Sequence, residues 1–143
     1  MTKGTTNKAM MTKQKIIDTA FDITIKNGFD TATFTYIAKT AGISKSGINA
    51  HFDRKSDIAA ELAPIYESII KEPLRFGSPE EFYESWIHAF ESNDKFRSAV
   101  LTAGPIIPKL DGVKGLFDII KGNEEEIQKC VYMCIGYSVI HSS

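Results

Sequence analysis

Apolar residues recur at helical spacing along most of this chain, and no segment alternates at the period of two expected of a half-buried strand. From about Thr12 to Lys26, Ile16, Ile17, Ala20, Phe21 and Thr24 share one helical face. Asn27-Gly28 then supplies a stop, after which Phe29 can fold back onto the core. Between Thr33 and Asp57 the pattern continues through Phe34, Ile37, Ala38, Ala41, Ile43, Ile48 and Phe52, interrupted at Gly42. Glycine takes a positive φ at little cost and Ser44 is a good N-cap, so one helix is expected to end near Thr40 and the next to start after Ser44. Two short helices joined by a tight turn, with polar residues on the second, make a helix-turn-helix.

Arg54-Lys55-Ser56-Asp57 opens a longer helix with a stripe of Ile58, Leu62, Ile65 and Ile69. Pro64 within it predicts a kink near Ala60 or a restart at the proline. Lys71 to Gly77 reads as a connection. Ser78-Pro79-Glu80-Glu81 begins a helix to about Glu91, with a serine cap, proline at the first position and acids at the positive end of the dipole. Asn93-Asp94 starts another to about Ala103, and Gly104 to Pro108 must be irregular. A further short helix is expected over Gly112 to Lys121, and Asn123 with Glu126 opens the last, from Glu124 to about His141. The class is all-α: a three-helix helix-turn-helix domain over 13–57 and a small helical domain over 58–143. The first dozen residues, MTKGTTNKAMMT, read as a flexible basic arm.

Composition is that of an ordinary globular protein, 43% hydrophobic and 24% charged. No run approaches the roughly 18 consecutive apolar residues of a membrane span, and the N-terminus lacks the apolar core of a secretory signal, so the expected location is cytoplasmic with no membrane partner. The net charge of -1 argues against a polyanionic partner only as an average. Residues 1–60 hold nine basic and five acidic residues, a net of +4, and residues 61–143 hold eight and thirteen, a net of -5. Phosphate attraction is local and screened within about 10 Å, so a basic module joined to an acidic one suits a polyanion met on one face.

In a helix-turn-helix the second helix enters the major groove of DNA, its first residues nearest the bases. Lys45, exposed at the start of that helix, is the first candidate for reading a base, since lysine donates to guanine O6 and N7; Asn49 can pair with adenine N6 and N7. Thr35 and Tyr36 open the preceding helix and can reach bases or phosphates from the side. Thr33, Ser46, His51 and Lys55 suit the phosphate backbone, where contacts fix register without reading sequence. Ser44 joins the candidate set, although capping serves Thr33 and Ser44 at least as well as contact.

Lys15-Ile16-Ile17, Ala20-Phe21, Gly28-Phe29, Thr33-Phe34, Ile37-Ala38, Ala41-Gly42-Ile43-Ser44, His51-Phe52 and Lys55 together resemble the N-terminal domain of TetR/AcrR-type transcriptional regulators, over roughly Lys13 to Leu62. Two positions depart from that pattern. Asn49 stands where the family usually has a tyrosine that contacts the backbone, and Gly47 where it has a small polar residue. Glycine also lowers helix propensity by about 1 kcal/mol relative to alanine. The resemblance implies a dimer on a pseudo-palindromic DNA operator, a repressor whose C-terminal helical domain binds a small-molecule effector and dimerises.

That second half is rich in aromatics, and Phe82, Trp86, Phe90 and Tyr132 are the candidate effector-binding residues, although such a stripe is more often core. His88 facing inward would be a core histidine sooner than a ligand. About 80 residues follow the first module, short for the resemblance. The apolar run Val131 to Ile140 is expected to pack on its twin in a homodimer, with a truncated ligand domain as the competing explanation. Cys130 and Cys134, with His141 beyond, lack zinc-ligand spacing and a fourth partner, so they read as small buried residues at the interface and no metal or cofactor is expected. No nucleophile with its base, no supported carboxylate pair and no phosphate loop points to an enzyme. The alternative function is a shortened family member that modulates another regulator as a protein interaction module.

Overall fold

The computed structural model describes residues 2–142, and the side chains of all of these except 2–6 and 109–111. Among the described residues the architecture is entirely helical: α1 (Thr2–Asn27), a 3-10 turn (Phe29–Thr31), α2 (Phe34–Ala41), α3 (Lys45–Asn49), α4 (Lys55–Lys71), α5 (Pro79–Ser92), α6 (Asp94–Thr102), α7 (Lys109–Ile119) and α8 (Glu124–Ile140).

Helix α1 begins at Thr2 instead of near Thr12, so the described part of the segment expected as a flexible arm is helical; Met1 lies outside the described residues. Thr12 shows why no new start occurs there. Its hydroxyl donates back to the Lys8 carbonyl at 3.0 Å instead of capping the amides ahead of it. Pro64 sits inside a single α4, and α7 starts at Lys109, three residues before Gly112. The end of α7 is set by a contact far off in sequence: the Lys121 amide donates to the Phe76 carbonyl at 2.9 Å, and Ile120 is extended.

The chain forms two compact units, Met1–Pro64 and Ile65–Ser143, divided within α4. In the first, Ile16, Ile37, Ile48, Ile58 and Leu62 are fully buried, with Ala20 and Phe52 beside them. Ile23, more than Phe21, completes the inner face of α1. In the second, α5 and α8 pack together around Phe82, Trp86, Phe90, Phe96, Ile127, Val131 and Cys134. Trp86 meets Phe96 edge-on at 5.2 Å, the tilted or T-shaped geometry that aromatic quadrupoles favour. Gly122 makes the turn into α8 at φ 138°, and a Cβ there would lie 2.9 Å from the Pro79 ring, so glycine is required both by conformation and by space. Tyr66, absent from the expected α4 stripe, is fully buried, and its hydroxyl lies 2.7 Å from Thr102 Oγ1 of α6.

Candidate nucleic-acid interface

The motif is built from its caps. Thr33 Oγ1 accepts from the Tyr36 amide at 3.1 Å and starts α2, and Gly42 ends it in the left-handed conformation at φ 70°. Ser44 Oγ accepts from the Gly47 amide at 3.0 Å and starts α3. Arg54 and Asp57 close a similar turn at the head of α4, the Asp57 carboxylate accepting from the Arg54 amide at 3.1 Å. Each orphan donor so satisfied secures a helix end, which matters most for the five-residue α3. Ile48 is fully buried and Phe52 nearly so, which anchors the inner face of the α3 segment.

That anchoring decides what points outward. Lys45, Ser46 and Asn49 are exposed together on α3, and Lys45 makes no ion pair among the described residues. Thr35 and Tyr36 are exposed on the first turn of α2. Thr33 and Ser44 are exposed too, their oxygens occupied as caps, and Ser46 Oγ lies 3.1 Å from Ser44 Oγ. His51 and Lys55 are half-buried, with the Lys55 ammonium 4.4 Å from the centre of the Phe29 ring. A ring face holds the cation in place while leaving its N–H donors in play. Lys13 is held by Glu61 at 3.5 Å and lies 5.7 Å from the Phe52 ring.

Two features escaped the sequence reading. Ala50 is exposed one turn beyond Ser46, where a methyl can meet a thymine methyl; the burial of Ile48 and Phe52 on the opposite face was the signal for it. The other concerns Gly47. A Cβ there would stand 3.1 Å from Ile43 Cγ2 and 3.2 Å from Ser44 Oγ, so a side chain would crowd the very serine that caps α3.

In the C-terminal unit the four expected effector residues separate. Phe82 and Phe90 fill the core and do not line the cavity found there, Tyr132 is 59% exposed against Phe117, and Trp86 alone reaches the cavity wall. The aromatic periodicity identified core positions, which is the commoner meaning of such a stripe. His88 is exposed and does not face the core. Cys130 and Cys134 are free, buried thiols inside the same core, and burial pushes both upward in pKa, Cys134 the further. Cys130 Sγ donates to the Pro79 carbonyl at 3.1 Å. No group of three or more His, Cys, Asp or Glu side chains is placed to hold a metal among the described residues, and no helix there is long and apolar enough to cross a membrane.

Residues 16–62 match the family model described as bacterial regulatory proteins, tetR family. The chain is 35% identical over 72 residues to the HTH-type transcriptional regulator AcrR of Shigella flexneri, a match covering 50% of this chain and 34% of that one. It is 33% identical over 58 residues to HTH-type transcriptional regulator SrpR of Pseudomonas putida, covering 41% and 27%. The same identity and length relate it to TtgW of Pseudomonas putida, an uncharacterized HTH-type regulator, covering 41% and 43%. The matched stretch thus spans less than half of each of these relatives. It contains both motif helices, their caps and the left-handed glycine between them, so over residues 16–62 the chain carries a helix-turn-helix domain of the kind found in the tetR family of bacterial regulatory proteins.

Proposed function

We propose that this chain is a sequence-specific DNA-binding transcriptional regulator, acting as a dimeric repressor on a pseudo-palindromic operator and released by a small-molecule effector. One observation carries the DNA end of this reading: Lys45, Ser46 and Asn49 stand exposed together on α3, whose other face is fastened by Ile48. A helix whose back is buried and whose front is polar can enter a groove without rearranging, so little ordering entropy opposes binding. In this reading Lys45 and Asn49 read bases, with Thr35, Tyr36 and Ala50 at the flanks. Thr33, Ser44, Ser46, His51 and Lys55 hold the phosphate backbone. An effector bound in the C-terminal unit would favour a DNA-incompetent state by its differential affinity for it. The compartment that fits is the cytoplasm, where the DNA is.

The test is a titration of purified protein on its own upstream DNA against random duplex at several salt concentrations. The expected result is a preference for the upstream sequence with a steep loss of affinity as salt rises. Equal binding to both duplexes overturns the reading.

A second reading is favoured by the outer face of α8, where Tyr132, Met133, Val139 and Ile140 are 55–75% exposed. An apolar face of this kind marks an association surface, and a chain that pairs with a longer regulator would use it. Mass measurement separates the two. A homodimer that shifts operator DNA supports the first reading, and a monomer that binds DNA only with a partner supports the second.

A further inference from the structure

A cavity of about 580 Å³ opens in the C-terminal unit, inside the range of roughly 300–1,000 Å³ that small-molecule sites occupy. Ile70 of α4, Trp86 of α5, Val100 of α6, Leu116 of α7, and Ile135 and Val139 of α8 contribute to its wall, so five helices converge on it. The polar groups in the lining fall into two sets. In the buried set, the Trp86 indole N–H donates to Ser138 Oγ at 2.8 Å, and the Ser138 hydroxyl donates to the Cys134 carbonyl at 2.9 Å. Both hydrogens are committed within the protein, which leaves ring faces and alkyl groups to meet a ligand. In the exposed set, Glu67 and Lys71 lie one turn apart on α4 and are opposite in sign. Among the described residues no unbalanced charge in the wall calls for an ion.

An ion entering such a site gives up its hydration and meets only an exposed pair, Glu67 and Lys71, whose charges offset each other, whereas an uncharged molecule gains by burying apolar area. We propose that the cavity binds an uncharged, largely apolar small molecule against the Trp86 ring. The inference rests on the reading of this unit as effector-responsive and adds the chemical class of the effector. Val139, 66% exposed, and Leu101, 40% exposed, leave one side open, which is how such a ligand would enter.

Two dyes with the same fused and phenyl rings test the claim on the full chain: neutral N-phenyl-1-naphthylamine and its anionic sulfonate, 1-anilinonaphthalene-8-sulfonate. Trp86 is the only tryptophan, so its quenching reports occupancy directly. The neutral dye should quench saturably at one per chain, and the sulfonate should bind at least about tenfold more weakly because its charge gives up hydration beside a wall whose Glu67 and Lys71 offset each other. Gly115 lines the cavity and a Cβ added there meets no atom within 4 Å, so Gly115→Phe should keep the helical circular dichroism and abolish saturable quenching. Ile135→Lys, at a partly exposed wall position, should narrow or reverse the preference for the neutral dye. Equal or tighter binding of the sulfonate overturns the proposal. So does binding that neither substitution changes, or a cavity closed to the dye because a second copy covers it in the sedimenting dimer. Operator binding, measured separately, keeps the two readings apart. Selective dye binding that leaves operator affinity unchanged removes the effector role while the cavity's selectivity stands, and a chain that never binds its operator removes the regulatory reading without touching the dye result.

Discussion

The N-terminal unit buries aliphatic side chains around Ile37, Ile48 and Ile58 and turns its polar residues outward, whereas the C-terminal unit buries Phe82, Trp86, Phe90 and Phe96 and leaves a cavity and an apolar helix face open. Their charges divide the same way, net positive toward the N-terminus and net negative toward the C-terminus. Short aliphatic residues on short, capped helices give a small rigid wedge that presents a fixed set of donors. Large rings that meet at angles pack well pairwise but leave space where helices diverge. On the proposed reading, a surface that reads and a space that accommodates thus arise from different residue sizes as well as different polarity.

The comparison breaks most readily at the aromatic core. Phe82→Ala should destabilise the C-terminal unit by about 3–5 kcal/mol, the usual cost of deleting a buried ring. In urea the Trp86 signal should then fall before the far-ultraviolet circular dichroism does, because α1 to α3 retain their own core. Coincident transitions would show that the two units do not unfold independently.

A smaller effect sharpens the other side. Lys45→Ala should weaken operator binding by about 1–3 kcal/mol if it reads a base, with little change in melting temperature, since the side chain is exposed and makes no ion pair among the described residues. Uniform weakening on every sequence would reassign it to the phosphates.

Two serines put burial itself to the test. Ser138→Ala leaves the buried Trp86 N–H without its acceptor and should cost about 1–3 kcal/mol. Ser44→Ala removes an exposed cap and should cost about 1 kcal/mol. Chemical denaturation of both variants gives the order, and a reversed order would mean that water reaches Trp86.

Buried thiols make the C-terminal unit sensitive to base. Cys130 and Cys134 are held above the ordinary thiol pKa of 9.0 chiefly by burial, so the folded state keeps protons that the unfolded state releases. Their contribution to stability is complete below that value and is lost as pH rises above it. Burial raises Tyr66 above its ordinary 10.0, which acts in the same direction. Denaturation midpoints of the Trp86 signal should therefore decline above pH 9.0, and Cys134→Ala should flatten that decline.

The smallest effect tests the recognition helix. Gly47→Ala gains about 1 kcal/mol of helix propensity, but its Cβ would press on Ile43 and the Ser44 cap. The net change in stability should stay below about 1 kcal/mol, read from melting curves.

Much of the N-terminal unit was legible beforehand because its decisions are local. A capping serine, a glycine at φ 70° and residues repeating every three or four positions act within one or two turns, and they placed α2, α3 and the exposed faces. The C-terminal unit was less so. Periodicity identified Phe82, Trp86 and Phe90 as an inner face but could not tell a ring that fills the core from one that lines a space, since both face inward. Only the meeting of five helices placed Trp86 at the cavity and Tyr132 outside it.

By itself the sequence determined the helical class, the caps, the helix-turn-helix with Lys45 at its head and the opposed charges of the two halves, all set by residues near one another in the chain. The tertiary structure decided the rest: the pairing of Trp86 with Ser138 across 52 positions, the bond from Lys121 to Phe76 that ends α7, the burial of Tyr66 and the shape of the cavity. Such contacts depend on how whole helices lie against one another, and no short-range pattern in the chain encodes that distance.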